Sequence, residues 1–156
     1  FRKAVLDALL AEKLPVTVFG EGWEKYSCGD EHSLRREPAV PFALSFERIA
    51  KAHVLLNVSP IFNRGMHDRV PAGMANHAVV LTDENPYLRR TFTDGKELLF
   101  YSLIKPDTLC EQAERALTDA GLREKIAASA YETFEREYTW KRRAEQILAF
   151  AKEVES

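Results

Sequence analysis

The feature that most constrains this chain is an apolar run of strand length, "HVLLNVSP" at residues 53–60, set among helical patterns. A run with almost no polar interruption marks a strand covered on both faces, and such strands belong to parallel sheets rather than to half-exposed hairpins. The surrounding order agrees. Residues 2–12 place Val5, Leu6, Leu9 and Leu10 on one helical face, and "PVTVFGEGW" follows as a short β-branched strand ending in two glycines that permit a tight turn. Residues 23–44 form a long polar connection with a short strand near Leu34. "SFERIAKA" reads as a helix capped by Ser45.

After the apolar run come a loop, a helix over about 67–76 and the strand "AVVLT". "NPYLRRTF" is a short helix and "DGKELLFY" a turn and strand. Residues 106–155 are helical with a break near Gly121. Strand and helix thus alternate up to Tyr101, which predicts an α/β fold: a parallel sheet with helices on both faces, followed by a C-terminal helical tail. The 156 residues make one domain, large enough to bury a core. A chain that starts at Phe1, inside a helical pattern, is expected to be a piece of a longer two-domain chain.

Charge and composition exclude some classes. A formal charge of −2 offers no basic surplus for nucleic acid. No apolar run approaches the roughly 20 residues of a membrane span. Cys28 and Cys110 lie far apart with no ligand-spaced partner, so they read as two buried thiols of a reduced cytoplasm rather than a disulfide or zinc site. His32, beside Asp30 and Glu31, reads as a solvated loop, and His53 as a core or strand-edge histidine. Tyr138 and Trp140 are expected to pin the last helix to the body, with "KRR" at 141–143 a solvated face.

The stretch "NRGMHDRVPAGMANHAVVLTD" at residues 63–83 carries the chemistry. Proline lacks an N–H and is tolerated in a helix only within the first turn, so Pro71 fixes the helix start near Asp68. With Asp68 as N-cap, Pro71 is the third helical residue. A strand, a glycine-bearing loop and a helix N-terminus at the carboxyl edge of a parallel sheet form a pocket suited to phosphate. Arg64, His67 and Arg69 add donors beside Gly65. A capping Asp68 carboxylate would compete for the same amides, so an ordinary capped helix with surface arginines is the plain alternative.

The segments "VTVFGEGW", "IAKAHVLLNVSP", residues 65–101 from "GMHDRV" to "ELLFY", and the ending "REKIAASAYETFEREYTWKRRAEQIL" together resemble the C-terminal half of GT-B glycosyltransferases. The resemblance is to the bacterial group 1-like family that includes spore maturation proteins. It implies a Rossmann-like domain holding a nucleotide-sugar donor, across a cleft from an N-terminal domain that grips the acceptor. The site residues it implies are Asn63, Arg64, Gly65, His67 and Arg69 at the diphosphate. Gly20, Gly22 and Trp23 stand on the opposite wall, and Asp83, Glu84 and Asn85 face the sugar. No metal or cofactor is implied, because helix-terminus amides and basic side chains stabilise the leaving diphosphate in this fold.

The sequence departs from the family at three positions. Ala72 and Arg64 stand where donor-binding glutamates are usual, and His77 replaces a small residue. Loss of those carboxylates leaves open a non-catalytic domain that keeps the fold for binding a partner or glycan. A response-regulator-like domain is disfavoured, since no acidic cluster follows the first strand.

Overall fold

The computed structural model describes residues 1–155. Helix α1 (Arg2–Ala11) leads into strand β1 (Val16–Phe19), a single 3₁₀ turn at Trp23–Lys25 and strand β2 (Leu34–Glu37). Then follow α2 (Phe42–Ala50), β3 (Val54–Asn57), α3 (Arg69–Ala75), β4 (Val79–Asp83), α4 (Pro86–Thr91) and β5 (Leu99–Tyr101). Three helices close the chain: α5 (Pro106–Thr118), α6 (Ala120–Glu137) and α7 (Trp140–Glu155). Every strand pairing is parallel, as the alternation predicts.

The alternating side chains of β4 separate two cores. Val79 and Leu81 pack with Val5 and Leu9 of α1 and with Leu109 and Ala113 of α5. Val80 faces the other way, with Val70 and Met74 of α3 and Ala130 of α6. So α1 and α5 cover one face and α3 and α6 the other, as period-2 strands between helices require. A third cluster joins Leu6 and Leu10 of α1 to Val18 of β1 and Leu34 of β2.

Gly73 explains how α3 sits so close to the sheet. A side chain there would collide with Val80 and come within 3.0 Å of Leu55 Cδ2. His77, which ends that helix region with φ 57°, adopts the left-handed conformation usual for glycine and stacks on Tyr131 at 4.3 Å.

Several expectations are corrected. The strands do not form one continuous sheet: β1–β2 and β3–β4–β5 are separate. The run at 53–60 is packed on both faces, with Val54 and Leu56 against the α1–α5 core and Leu55 beside Gly73 of α3, yet Val54, Leu55 and Leu56 are only half-buried. Ser45 does not cap α2, which begins at Phe42 after Pro41; its hydroxyl donates to Phe42 O inside the first turn. The break in the tail falls at Asp119, whose side chain accepts from Leu122 N at 2.8 Å, and a second break precedes Trp140.

Both cysteines are free and half-buried rather than buried. His53 is exposed. Tyr138 packs on Phe92, but Trp140 is 90% exposed and pins nothing. Arg143 lies over the Tyr138 ring, so the basic run is only partly a solvated face.

Candidate functional site

The carboxyl ends of β3 and β4 are stitched by buried polar groups. Asn57 Nδ2 donates to Thr82 Oγ1 at 3.0 Å, Ser59 N–H donates to Asp83 Oδ1 at 2.7 Å, and Tyr101 O–H donates to Asn57 O at 3.0 Å. Burial raises the Asp83 carboxyl above its ordinary range, against the opposing effect of the Ser59 amide. Sequence reading missed this ladder. Its signal is the polar residue that closes each apolar run, Asn57 after "VLL" and Thr82-Asp83 after "VVL".

Asn85 holds the loop after β3 in place. Its side-chain oxygen caps α4 by accepting from Leu88 N at 2.8 Å, while its Nδ2 donates to Phe62 O at 2.6 Å and Gly65 O at 3.3 Å. Asp83 and Asn85 are therefore buried and engaged in structure. Glu84 is exposed and ion-paired to Arg89 at 2.7 Å.

The start of α3 differs from the expected capped terminus. Asp68 occupies the N-cap position, yet its own backbone is helical and its side chain makes no capping bond. Its Oδ1 lies 2.5 Å from His67 Nδ1, and that same nitrogen lies 3.2 Å from Arg69 N–H. The imidazole donates to the first or accepts from the second according to its tautomer. Val70 N–H donates to His67 O, and Pro71 has no N–H. Val70 N–H is thus engaged within the chain and Pro71 has no N–H, while Arg69 N–H has a partner only in the tautomer that accepts it. His67 is not a ready cation. Burial and then the Arg69 charge depress its pKa, with Asp68 acting in the opposite direction.

Trp23, His67 and Arg69 line one cleft of about 1160 Å³ between β1 and β3, with Glu21, Asp68 and Ala72. Its opposite wall is set by the turn after β1. Gly20 and Gly22 have φ of 118° and 89°, and Trp23 Nε1 donates to Phe19 O at 3.1 Å. Gly20, Gly22, Gly65 and the exposed Asn63 and Arg64 are not among the residues that line the cleft. The structure does not bring Asp83, Glu84 and Asn85 into the cleft lining. Ala72 does line it.

Among the described residues, no three His, Cys, Asp or Glu side chains form a group placed to hold a metal ion. No described helix is long and apolar enough to cross a membrane.

A parallel α/β domain with its polar groups and turn glycines at the carboxyl edge has the architecture of the GT-B C-terminal domain. The glycosyl transferase-like family model matches residues 2–149, and the chain belongs to that family. The chain superposes on the Anabaena Alr3699/HepE structure determined with UDP-glucose, with a TM-score of 0.79, 12% identity, 96% of this chain and 44% of that one. A glycosyltransferase from Rickettsia africae ESF-5 gives a TM-score of 0.79 at 11% identity over 97% of this chain and 44% of that one. TarM gives 0.71 at 12%, over 95% and 30% respectively. The chain therefore spans less than half the length of these structures. No curated protein sequence matches it.

Proposed function

We propose that this domain is the donor-binding half of a glycosyltransferase that moves a sugar from a nucleoside diphosphate donor to a glycan, protein or lipid-linked acceptor. An N-terminal acceptor domain of the parent chain would complete the site. The observation that carries the reading is the meeting of Trp23, His67 and Arg69 at one cleft, in a chain of the glycosyl transferase-like family.

Arg69 supplies the charge for the diphosphate, with Arg64 on the neighbouring loop, and the Gly20–Gly22 turn leaves room for a close approach. A positioned cation lowers the barrier by stabilising the charge that develops on the leaving diphosphate. Gly65, Asn63 and His67 shape that side, while Asp83, Glu84 and Asn85 set the loop and the floor beyond it. The donor class fits the UDP-glucose bound by HepE.

A second reading has its own support. Ala72 offers no carboxylate to sugar hydroxyls, and in α3 the Val70 amide is engaged within the chain while Pro71 has none. Both favour a domain that keeps the fold for binding alone.

Titration calorimetry across uridine, guanosine, thymidine and cytidine diphosphates tests the first reading. One of them should bind weakly, and Arg69→Ala should weaken it by about 1.5–3 kcal/mol, the range for a hydrogen bond to a charged group. No heat with any, or an unchanged affinity in the variant, overturns the donor reading in favour of the second. The isolated chain should show no transferase turnover, since catalysis needs both reactants held together.

A further inference from the structure

Between β1 and β2 the chain is mostly polar, and one arginine gathers it. Leu34 and Arg36 lie two residues apart on β2 and so share a face of the strand. Leu34 is buried with Leu6, Leu10 and Val18. Arg36 continues that face toward the carboxyl edge, where its side chain is 28% exposed. Its hydrogen bonds all reach back into the connection. Nε donates to Trp23 O at 3.0 Å, and Nη2 donates to Tyr26 O at 2.7 Å. Nη1 and Nη2 also grip the two carboxylate oxygens of Glu31, at 2.6 and 3.2 Å. Glu31 Oε1 accepts in turn from Cys28 N–H at 3.3 Å.

A guanidinium suits this task. Its planar fork holds several N–H donors in fixed directions, so one side chain can fix several acceptors at once, which a lysine ammonium on a flexible stem does not. The bidentate carboxylate orients the fork, and the Arg36 charge holds the Glu31 carboxyl down to about 2, so the clamp stays ionised at neutral pH. Trp23 is the point where this network meets the cleft: it lines the wall, while Arg36 and Glu31 do not. The indole Nε1 donates to Phe19 O at 3.1 Å, at the end of β1. The Trp23 carbonyl is held by Arg36 of β2 and by Tyr26 N–H at 3.1 Å. Tyr26 packs edge-on against the indole at 6.1 Å and donates its O–H to Asp7 of α1 at 2.7 Å.

We propose that Arg36, clamped by Glu31, is a positioning residue for the cleft: it sets the Trp23 indole as the wall across from Arg69. Arg36 touches no ligand and acts through the Trp23 and Tyr26 carbonyls. The inference deepens the donor reading and rests on it for the identity of the ligand, while the placement of Trp23 rests on the hydrogen bonds alone. Without the fork, the turn that carries the indole loses its attachment to β2 and samples other positions. A ligand that needs the wall then binds in proportion to the fraction of time the wall is in place, so a wall present about one-tenth of the time weakens binding about tenfold. An arginine that merely tidied a surface connection would change stability and leave the indole and the affinity as they are.

The indole itself reports the answer. The sequence holds two tryptophans, so a Trp140→Phe background leaves Trp23 as the single fluorophore. In that background Arg36→Met keeps an apolar stem and removes the fork, and Glu31→Ala removes the clamp. Both should raise acrylamide quenching of Trp23 and shift its indole N–H resonance. Both should also weaken whichever of uridine, guanosine, thymidine and cytidine diphosphate the parent binds, by about tenfold for Arg36→Met and by less for Glu31→Ala. All are measured at a temperature where urea melts show the variants folded. Asp119→Ala, which removes a helix cap at the start of α6, controls for lost stability and should move neither readout. If Arg36→Met fails to fold, Glu31→Ala decides on the same two readouts. An indole that stays unmoved in the folded variants, or moves no more than in Asp119→Ala, overturns the proposal. So does an indole that moves while the affinity of a bound diphosphate is unchanged. If the parent binds none of the four diphosphates, the donor reading falls, and the indole readout alone decides whether Arg36 sets the wall.

Discussion

Asp83 Oδ1 accepts the Ser59 backbone N–H at 2.7 Å, and this bond ties the end of β4 to the chain leaving β3. The carboxyl is 3% exposed, and burial raises its pKa. The acid is thus more easily protonated in the folded chain than in the unfolded one. Its contribution to stability is fully present below the unfolded value near 3.8 and is lost as the pH rises through the higher folded value. Asp83→Asn keeps an acceptor for Ser59 and removes the charge. The variant should match or exceed its parent in stability at neutral pH and lose this part of the pH dependence. Asp83→Ala removes the acceptor and should cost about 1–3 kcal/mol, the penalty for an unsatisfied buried amide. Urea melts of both variants at pH 4 and pH 7 check this.

Helix caps separate into real and apparent ones. Asn85 and Asp119 each accept a backbone N–H at 2.8 Å, and Asp68 does not cap. Asp119→Ala should therefore cost about 0.5–2 kcal/mol, the usual loss for a cap. Asn85→Ala should cost more than Asp119→Ala, because it also releases Phe62 O and Gly65 O. Asp68 is 76% exposed, and Asp68→Ala should stay within about 0.5 kcal/mol, as surface changes usually do. Thermal melts of the three variants rank them, and an Asp68→Ala loss as large as that of Asp119→Ala would contradict the geometry.

Asp68 also shows where sequence reading stops. Pro71 located the start of α3 correctly, because a missing N–H restricts the residue whatever surrounds it. The cap did not follow, because a side chain's partner depends on rotamer and neighbours, and His67 competes for this carboxylate. Parallel strands and two-sided helices were legible from period and order alone. The split of the sheet was not, since an apolar run looks the same whether or not its neighbour is present. Nor was the engagement of Asn85, whose loop contacts lie 20 and 23 residues back in the chain.

Gly73 offers a packing test of α3. A methyl group there has no room between Val80 and Leu55. Gly73→Ala should cost about 1–3 kcal/mol, as overpacking does, despite alanine's better helix propensity. The same change at Gly29, where nothing lies within 4 Å, should be nearly neutral. Paired denaturation curves decide between packing and propensity: a stabilised Gly73→Ala would show that α3 can move off the sheet.

His67 reports on the electrostatics of the cleft mouth. Its pKa is depressed by burial and by Arg69, while Asp68 pulls it upward. Asp68→Asn should lower the pKa further, and Arg69→Ala should raise it, both read from imidazole proton shifts during an NMR titration. The folded value lies below the ordinary 6.5, so the unfolded chain binds the proton more readily in the interval between them. Stability from this group is present above pH 6.5 and is lost as the pH falls through the folded value. The loss on acidification should be larger in Asp68→Asn and smaller in Arg69→Ala. A bound diphosphate should raise the pKa, because the anion favours the imidazolium. If adding a nucleoside diphosphate that binds the domain leaves the His67 titration unmoved, that ligand does not sit at this mouth.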